Sequence, residues 1–235
     1  STSYTTPSIA STTVYYAQSR DTLTGCISAT RTADSAIINA VPATPTVSAN
    51  TPLCSDSTLY LTASTTSTMP VTWSWTGPNV FVSTQQNPTI TIITTAGAGT
   101  YSVTATATTG NCPSAPGTKS VVVNLTPKIT GVTITNPSTC NGTNGSIILT
   151  GLSASVTYNV SYRKNGTLLS VVIKASTSGS ITITSLSAGT YTDFYVTAPT
   201  GCISNTMAGP YTLVDPNPPA TPVITSNTPV CSGDT

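Results

Sequence analysis

Apolar and polar residues alternate in short, separate stretches along most of this chain. "STLYLTAS" (57–64), "VTWSWTG" (71–77) and "GTYSVTATA" (99–107) form one set. "GSIILTGL" (145–152), "VTYNVSY" (156–162), "LLSVVIKA" (168–175), "GSITITSL" (179–186) and "GTYTDFYVTA" (189–198) form a second. A period of two predicts strands with one face buried, and the Val, Ile, Tyr and Thr that fill these stretches suit a pleated surface. The same parity puts Val71, Trp73 and Trp75 on one inward face, and Val156, Tyr158, Val160 and Tyr162 on another. Trp75 is therefore predicted to fill a core rather than to offer a stacking platform for sugar. Asn165-Gly166 lies where a two-residue hairpin turn needs positive φ at both central positions, which places an edge strand after it.

The six cysteines, Cys26, Cys54, Cys112, Cys140, Cys202 and Cys231, set a slower rhythm. The intervals between them alternate between about 28 and about 60 residues, a repeat of about 88 residues and the size of one small β-sandwich. Other landmarks keep time with it. "GCIS" occurs at 25–28 and 201–204, and Tyr15, Tyr101 and Tyr191 hold matching places ahead of Cys26, Cys112 and Cys202. Proline-rich stretches, "AVPATPTV" (40–47), "NLTPKITGV" (124–132) and "VDPNPPATPVI" (214–224), read as short stiff linkers. The expected organisation is all-β, with tandem immunoglobulin-like β-sandwich modules. Residues 1–42 would be the C-terminal part of one module, 43–126 and 127–215 two whole ones, and 216–235 the start of another. The near copy of "ANTPLCSDST" (49–58) at "SNTPVCSGDT" (226–235) leads to the same expectation, a piece of a longer array.

Cysteines at fixed places in a repeat point to disulfides and an oxidising compartment. One pairing closes each module on itself, Cys54 with Cys112 and Cys140 with Cys202, and leaves Cys26 and Cys231 to partners outside these residues. The other joins neighbours across the linkers, Cys26 with Cys54, Cys112 with Cys140 and Cys202 with Cys231. The first is the expectation carried forward.

Composition removes several functions. Charged residues make up 6% of the chain, with net charge +1, against about 25% in an average domain. The seven Lys and Arg are scattered, so nucleic acid is not an expected partner. No apolar run is long enough to enter a membrane as a helix. Histidine and glutamate are absent from the sequence, which removes Ser-His-Asp and Cys-His machinery and most zinc sites. The six aspartates show no paired placement, so no catalytic, metal or cofactor residues are predicted and the chain is not expected to be an enzyme. Asn-x-Ser/Thr triplets beginning at Asn124, Asn141, Asn144, Asn159 and Asn165 are no more than so Ser- and Thr-rich a chain yields by chance. Asp followed by Ser or Thr recurs, and turn formation by the Asp side chain accounts for it.

The phrases "TPVCSGDT", "YAQSRDTLTGC" and "TWSWTGPNVFVSTQQNPTITIITTAGAGTYSVTATATTGNC" resemble the immunoglobulin-like repeats of giant surface proteins in Bacteroidota. "CNGTNGSIILT" and "SLSAGTYTDFYVTAPTGC" resemble the repeat of their gliding-motility adhesins, often called the SprB-type repeat. One departure is "TYTDFYVTAPTGC", where plain Val/Thr alternation is the commoner pattern. The resemblance implies export by the type IX route, attachment at the outer surface of the cell, and a role in adhesion or gliding. It also implies O-glycosylation at Asp-Ser/Thr sites, with Thr22, Ser35 and Ser57 as candidate acceptors. The functional expectation is a structural spacer in a long secreted surface adhesin. Its partners would be neighbouring modules of the same chain, with surface glycans or other filaments beyond them. Two alternatives stay open: glycan-binding accessory modules of a secreted polysaccharide-degrading enzyme, and a subunit of an extracellular sheath or fibre.

Overall fold

A computed structural model describes Ser3 and residues 5–223. It divides into two compact units that meet between Val123 and Asn124, a few residues ahead of the predicted 126/127 boundary. The first unit begins with a hairpin of β1 (Thr13–Ala17) and β2 (Thr32–Ala36) in antiparallel register, Tyr15 opposite Asp34. Its sandwich follows: β3 (Thr46–Ala49), β4 (Leu53–Cys54), β5 (Leu59–Ser64), β6 (Val71–Gly77), β7 (Phe81–Ser83), β8 (Thr89–Ile90), β9 (Gly99–Ala107), β10 (Gly117–Val121) and β11 (Val123–Asn124). One sheet has the order β3-β5-β8 and the other β10-β9-β6-β7, while β4 pairs with β11.

The second unit repeats the plan with β12 (Gly131–Thr135), β13 (Gly145–Thr150), β14 (Thr157–Lys164), β15 (Thr167–Lys174), β16 (Ile181–Leu186), β17 (Gly189–Thr197) and β18 (Tyr211–Leu213). Its sheets are β12-β13-β16 and β15-β14-β17-β18. Both units are thus immunoglobulin-like β-sandwiches of three strands on four, with the connections crossing between sheets as in that fold.

Alternation decides which side chains fill the cores. Along β9, Tyr101, Val103, Ala105 and Ala107 are buried and the residues between them are not. Along β5 the buried set is Leu59, Leu61 and Ala63. Trp75 is 1% exposed at the centre of the first core and its indole N–H donates to the Gln86 carbonyl at 3.3 Å. Trp73 is half-buried against the same cluster. The second core is a separate cluster around Ile147, Leu149, Tyr158, Val160, Tyr191 and Phe194. Asn165 and Gly166 take φ of 48° and 85° and join β14 to the exposed edge strand β15, as the turn chemistry predicts.

The unusual "TYTDFYV" resolves as a bulge. Asp193 sits at φ 57°, and the register of β14 against β17 shifts between Ser161 and Arg163. The extra residue turns both Tyr191 and Phe194 inward although they are three positions apart. Phe194 then stacks on Tyr162 with ring centroids 5.3 Å apart.

The two "AGTY" phrases turn out to build the same device. The Tyr101 hydroxyl donates to the Gly97 carbonyl at 2.9 Å, and the Tyr191 hydroxyl to the Ser187 carbonyl at 2.8 Å, each four residues upstream. These are tyrosine corners, which pin the turn between sheets to the start of a central strand. At Gly97 a Cβ would meet Ile93 at 2.7 Å, so the corner also requires a glycine there.

Burial raises the Tyr101 hydroxyl pKa above its usual 10.0, and burial together with the charge of Tyr191 does the same for Tyr162. A raised folded-state value means the native chain holds these protons more tightly than the unfolded one. Their stabilisation is whole below about pH 10 and is lost as pH climbs through the folded-state values. Denaturant unfolding followed by fluorescence should show stability falling above about pH 10. At neutral pH, Tyr101→Phe should cost about 1 kcal/mol through the lost hydrogen bond.

Candidate functional site: the cysteine-bearing poles

The first and last strands of each sandwich run side by side in the same direction. In the first unit, a Cβ on Gly117 would meet the Pro45 carbonyl at 2.2 Å, and further along the Val122 amide donates to the Thr51 hydroxyl at 2.8 Å. In the second, the Asn205 side chain accepts from the Ile129 amide at 2.8 Å and donates to its carbonyl at 3.0 Å, before the last strand. After that strand, the Val214 amide donates to the Asn136 side chain at 3.1 Å. The chain therefore enters each sandwich at one pole and leaves at the other.

The cysteines sit at these poles. Cys54 follows Leu53, whose amide donates to the Val122 carbonyl at 3.1 Å, so it marks the exit pole of the first sandwich. Cys112 lies in the turn after β9, where its carbonyl accepts from the Ala107 amide at 3.0 Å. Its thiol is 3.9 Å from the Asn39 carbonyl, at the entry pole. In the second sandwich Cys202 holds the matching entry position, its carbonyl accepting from the Ala198 amide at 2.8 Å. Cys140 lies at the exit, its thiol 3.7 Å from the Pro216 carbonyl.

This geometry overturns the within-module pairing. Cys112 and Cys140 carry free thiols, as does Cys26, while Cys54 and Cys202 are each disulfide-bonded. Neither Cys54 with Cys112 nor Cys140 with Cys202 is therefore a bond of this structure. The reason is the length of the central strand. Val121 lies opposite Gly99 at the Cys54 end of β9, and Cys112 lies beyond Ala107 at the other end. Nine extended residues at about 3.3 Å each keep the two cysteines roughly 25 Å apart, whereas a disulfide needs Cα atoms within about 7 Å. The nine residues of β17 separate Cys140 from Cys202 in the same way, with Leu213 opposite Gly189 at the Cys140 end. The rival set, Cys26 with Cys54 and Cys112 with Cys140, is excluded by the same free thiols. Cys231 lies outside the described residues. Nothing in the sequence alone marked the poles, because spacing counts residues and not the direction in which strands run.

The candidate acceptors Thr22, Ser35 and Ser57 are all exposed, on three different surface stretches rather than one patch. Thr22 is held in a turn by Asp21, whose carboxylate accepts from the Leu23 amide at 2.7 Å and the Thr24 amide at 3.2 Å. Those hydrogen bonds lower the Asp21 pKa below its usual value. Beside Ser57, Asp56 takes φ of 64°. Among the described residues no group of three Cys or Asp side chains is placed to hold a metal ion, and no helix is long and apolar enough to cross a membrane.

No family model matches the chain, and no curated protein does. Solved structures similar to it include murine CEACAM1b, at 16% identity and TM-score 0.39, covering 70% of this chain and 98% of that one. Another is a mouse coronavirus receptor-binding domain complexed with its murine receptor, at 18% identity and TM-score 0.38, covering 70% and 98%. A third is the human OSCAR ligand-binding domain, at 13% identity and TM-score 0.32, covering 72% and 100%. Immunoglobulin-like sandwiches with oxidised cysteines define an extracellular or secreted class of protein.

Serine substitutions separate the two kinds of cysteine. Cys112→Ser and Cys140→Ser should each leave unfolding free energy within about 0.5 kcal/mol of the parent. Cys54→Ser or Cys202→Ser should lose about 2–4 kcal/mol, read from denaturant midpoints under non-reducing conditions.

Proposed function

We propose that this chain is a tension-carrying spacer of a long, secreted, cell-surface adhesin of the gliding-motility type in Bacteroidota, with no catalytic role. The observation that carries the reading is the parallel contact of first and last strands in both sandwiches. Force applied through the chain ends then shears those strands along their length and loads the contacts between them together, where peeling would load them singly. Entry and exit at opposite poles let each module add its full length to a filament. The sequence resemblance supplies the surface of the cell as its place and the type IX route as its means of export. On that reading Thr22, Ser35 and Ser57 are exposed hydroxyls open to O-glycosylation, in a surface that few charges keep soluble.

A second reading, lateral assembly into a fibre, draws support from β15. This edge strand leaves Leu168, Leu169, Val171 and Val172 36–68% exposed, and an exposed apolar edge pairs readily with another chain. Sedimentation at increasing concentration tests it: self-association abolished by Val172→Lys would favour the fibre, and a monomer throughout would remove it.

Single-molecule pulling tests the spacer. Each module should withstand markedly higher force when pulled through its chain ends than through two handles attached across β14 and β15. Equal forces, or saturable binding of the chain on a glycan array, would count against the proposal.

A further inference from the structure

One turn in the first sandwich is built against the preferences of its own residues. Asn79 and Val80 stand between β6 and β7 with φ of 54° and 57°, and the Phe81 amide donates to the Pro78 carbonyl at 3.2 Å to close the turn. The turn between β14 and β15 in the second sandwich has Gly166 where this one has Val80. A β-branched residue in the left-handed region is an outlier, and such strain is kept where a function uses it. Burial cannot be the reason here, because Val80 is 93% exposed. Its side chain stands out as an aliphatic tip.

A cleft lies beside that tip. Its volume is about 160 Å³, and it opens where the edge strands of the two sheets part, with Phe81 of β7 on one side and Ile90 of β8 on the other. Tyr101, fully buried, forms the floor and meets Phe81 edge-on with ring centroids 5.4 Å apart. Pro78 and Ile92 complete the lining, and Ile92 is 69% exposed. An apolar cavity of about 150 Å³ receives a small hydrocarbon, so this cleft has room for a valine side chain. Asn79 and Phe81 border it and Val80 between them does not. The tip leaves its own cleft open.

Between Asp56 and Lys119 the sequence holds no charged residue. Tip, cleft and the strands behind them therefore offer nothing to an ionic partner and nothing that repels an identical surface. No ion has to shed its water when two such surfaces meet. A second copy supplies both a cleft for the tip and a tip for the cleft.

We propose that the first sandwich carries a homotypic contact site, in which Val80 of each of two copies enters the cleft bounded by Phe81, Ile90 and Ile92 of the other. Tip and cleft share one edge of one sandwich, so a two-fold axis makes both insertions at once and closes the pair. The patch is a handful of side chains, short of the roughly 1,000 Å² that a durable interface covers. Single chains meet weakly, and filaments carrying many such modules hold by number. The contact does not rest on the spacer reading. Its use between filaments does.

Sedimentation equilibrium of the full chain carrying Val172→Lys, which removes any pairing at β15, should show a weak dimer. Val80→Gly relieves the turn and deletes the tip, so loss of folding cannot explain its effect. It should weaken the dimer about tenfold or more, as deletion of a buried aliphatic side chain does. Ile92→Lys, at an exposed rim position, should weaken it as much. Mixed together, the two variants should recover part of the association, because Val80 of the Ile92→Lys chain still meets the intact cleft of the Val80→Gly chain. In a mixture of isotope-labelled and unlabelled chains, nuclear Overhauser contacts should join the Val80 methyls of one copy to the Phe81 ring of another. A monomer up to about millimolar concentration, or a dimer that Val80→Gly leaves unchanged, overturns the proposal. Either result leaves the pulling experiment, which reads one molecule at a time, as it stands.

Discussion

The parallel contact between the first and last strands of each sandwich is the constraint on which the remaining features rest. A sheet can return its chain to the pole where it began or deliver it to the far one. Here the backbone of Gly117 comes so close to Pro45 that no side chain fits between them, and the Asn205 amide clasps both polar groups of Ile129. These contacts fix the far-pole solution. Once they do, the nine residues of the central strand hold the two cysteines of one module at opposite poles. Oxidation cannot join those two sulfurs to each other.

Internal order is kept by apolar alternation and a few directed hydrogen bonds, with almost no help from charge. The tyrosine corners tie each inter-sheet turn to the strand it feeds, and their buried hydroxyls are fully spent on backbone carbonyls. The Asp193 bulge does comparable work in the second sandwich by turning a broken period into two inward aromatics. Ser204 and Ser114 repeat another such element, each donating to the carbonyl of the next residue and accepting from a β17 or β9 amide. Buried polar atoms at these places cost little because each is satisfied.

Much of this architecture was legible in the sequence, and the limits were physical. Period-two alternation located the central strands β5, β6, β9, β13, β14, β16 and β17, and the parity rule placed Trp75 inward. Asn165-Gly166 announced its hairpin because few other dipeptides tolerate two positive φ angles in succession. The roughly 88-residue rhythm put a boundary at 126/127, a few residues from the division at Val123 and Asn124. What could not be read was direction. The pairing of Cys54 with Cys112 looked reasonable from their fixed places in the repeat, yet spacing says nothing about the rigid strand that keeps the two sulfurs apart. Tyr101 and Tyr191 were visible at matching places in the repeat, but their hydroxyl contacts appear only once the turn is built. The departure at "TYTDFYV" was noticed as a break in pattern; its meaning depended on the backbone at Asp193.

Arg163 and Asp193 make the one ion pair among the described residues, 3.6 Å apart with both side chains nearly half exposed. Such a pair contributes little. Dissolved ions therefore find almost nothing here to weaken, since the cohesion of both sandwiches comes from contacts that a shorter Debye length leaves untouched. Over the range where screening is the main effect of salt, each sandwich should therefore hold its stability unchanged, set by its core and its backbone hydrogen bonds.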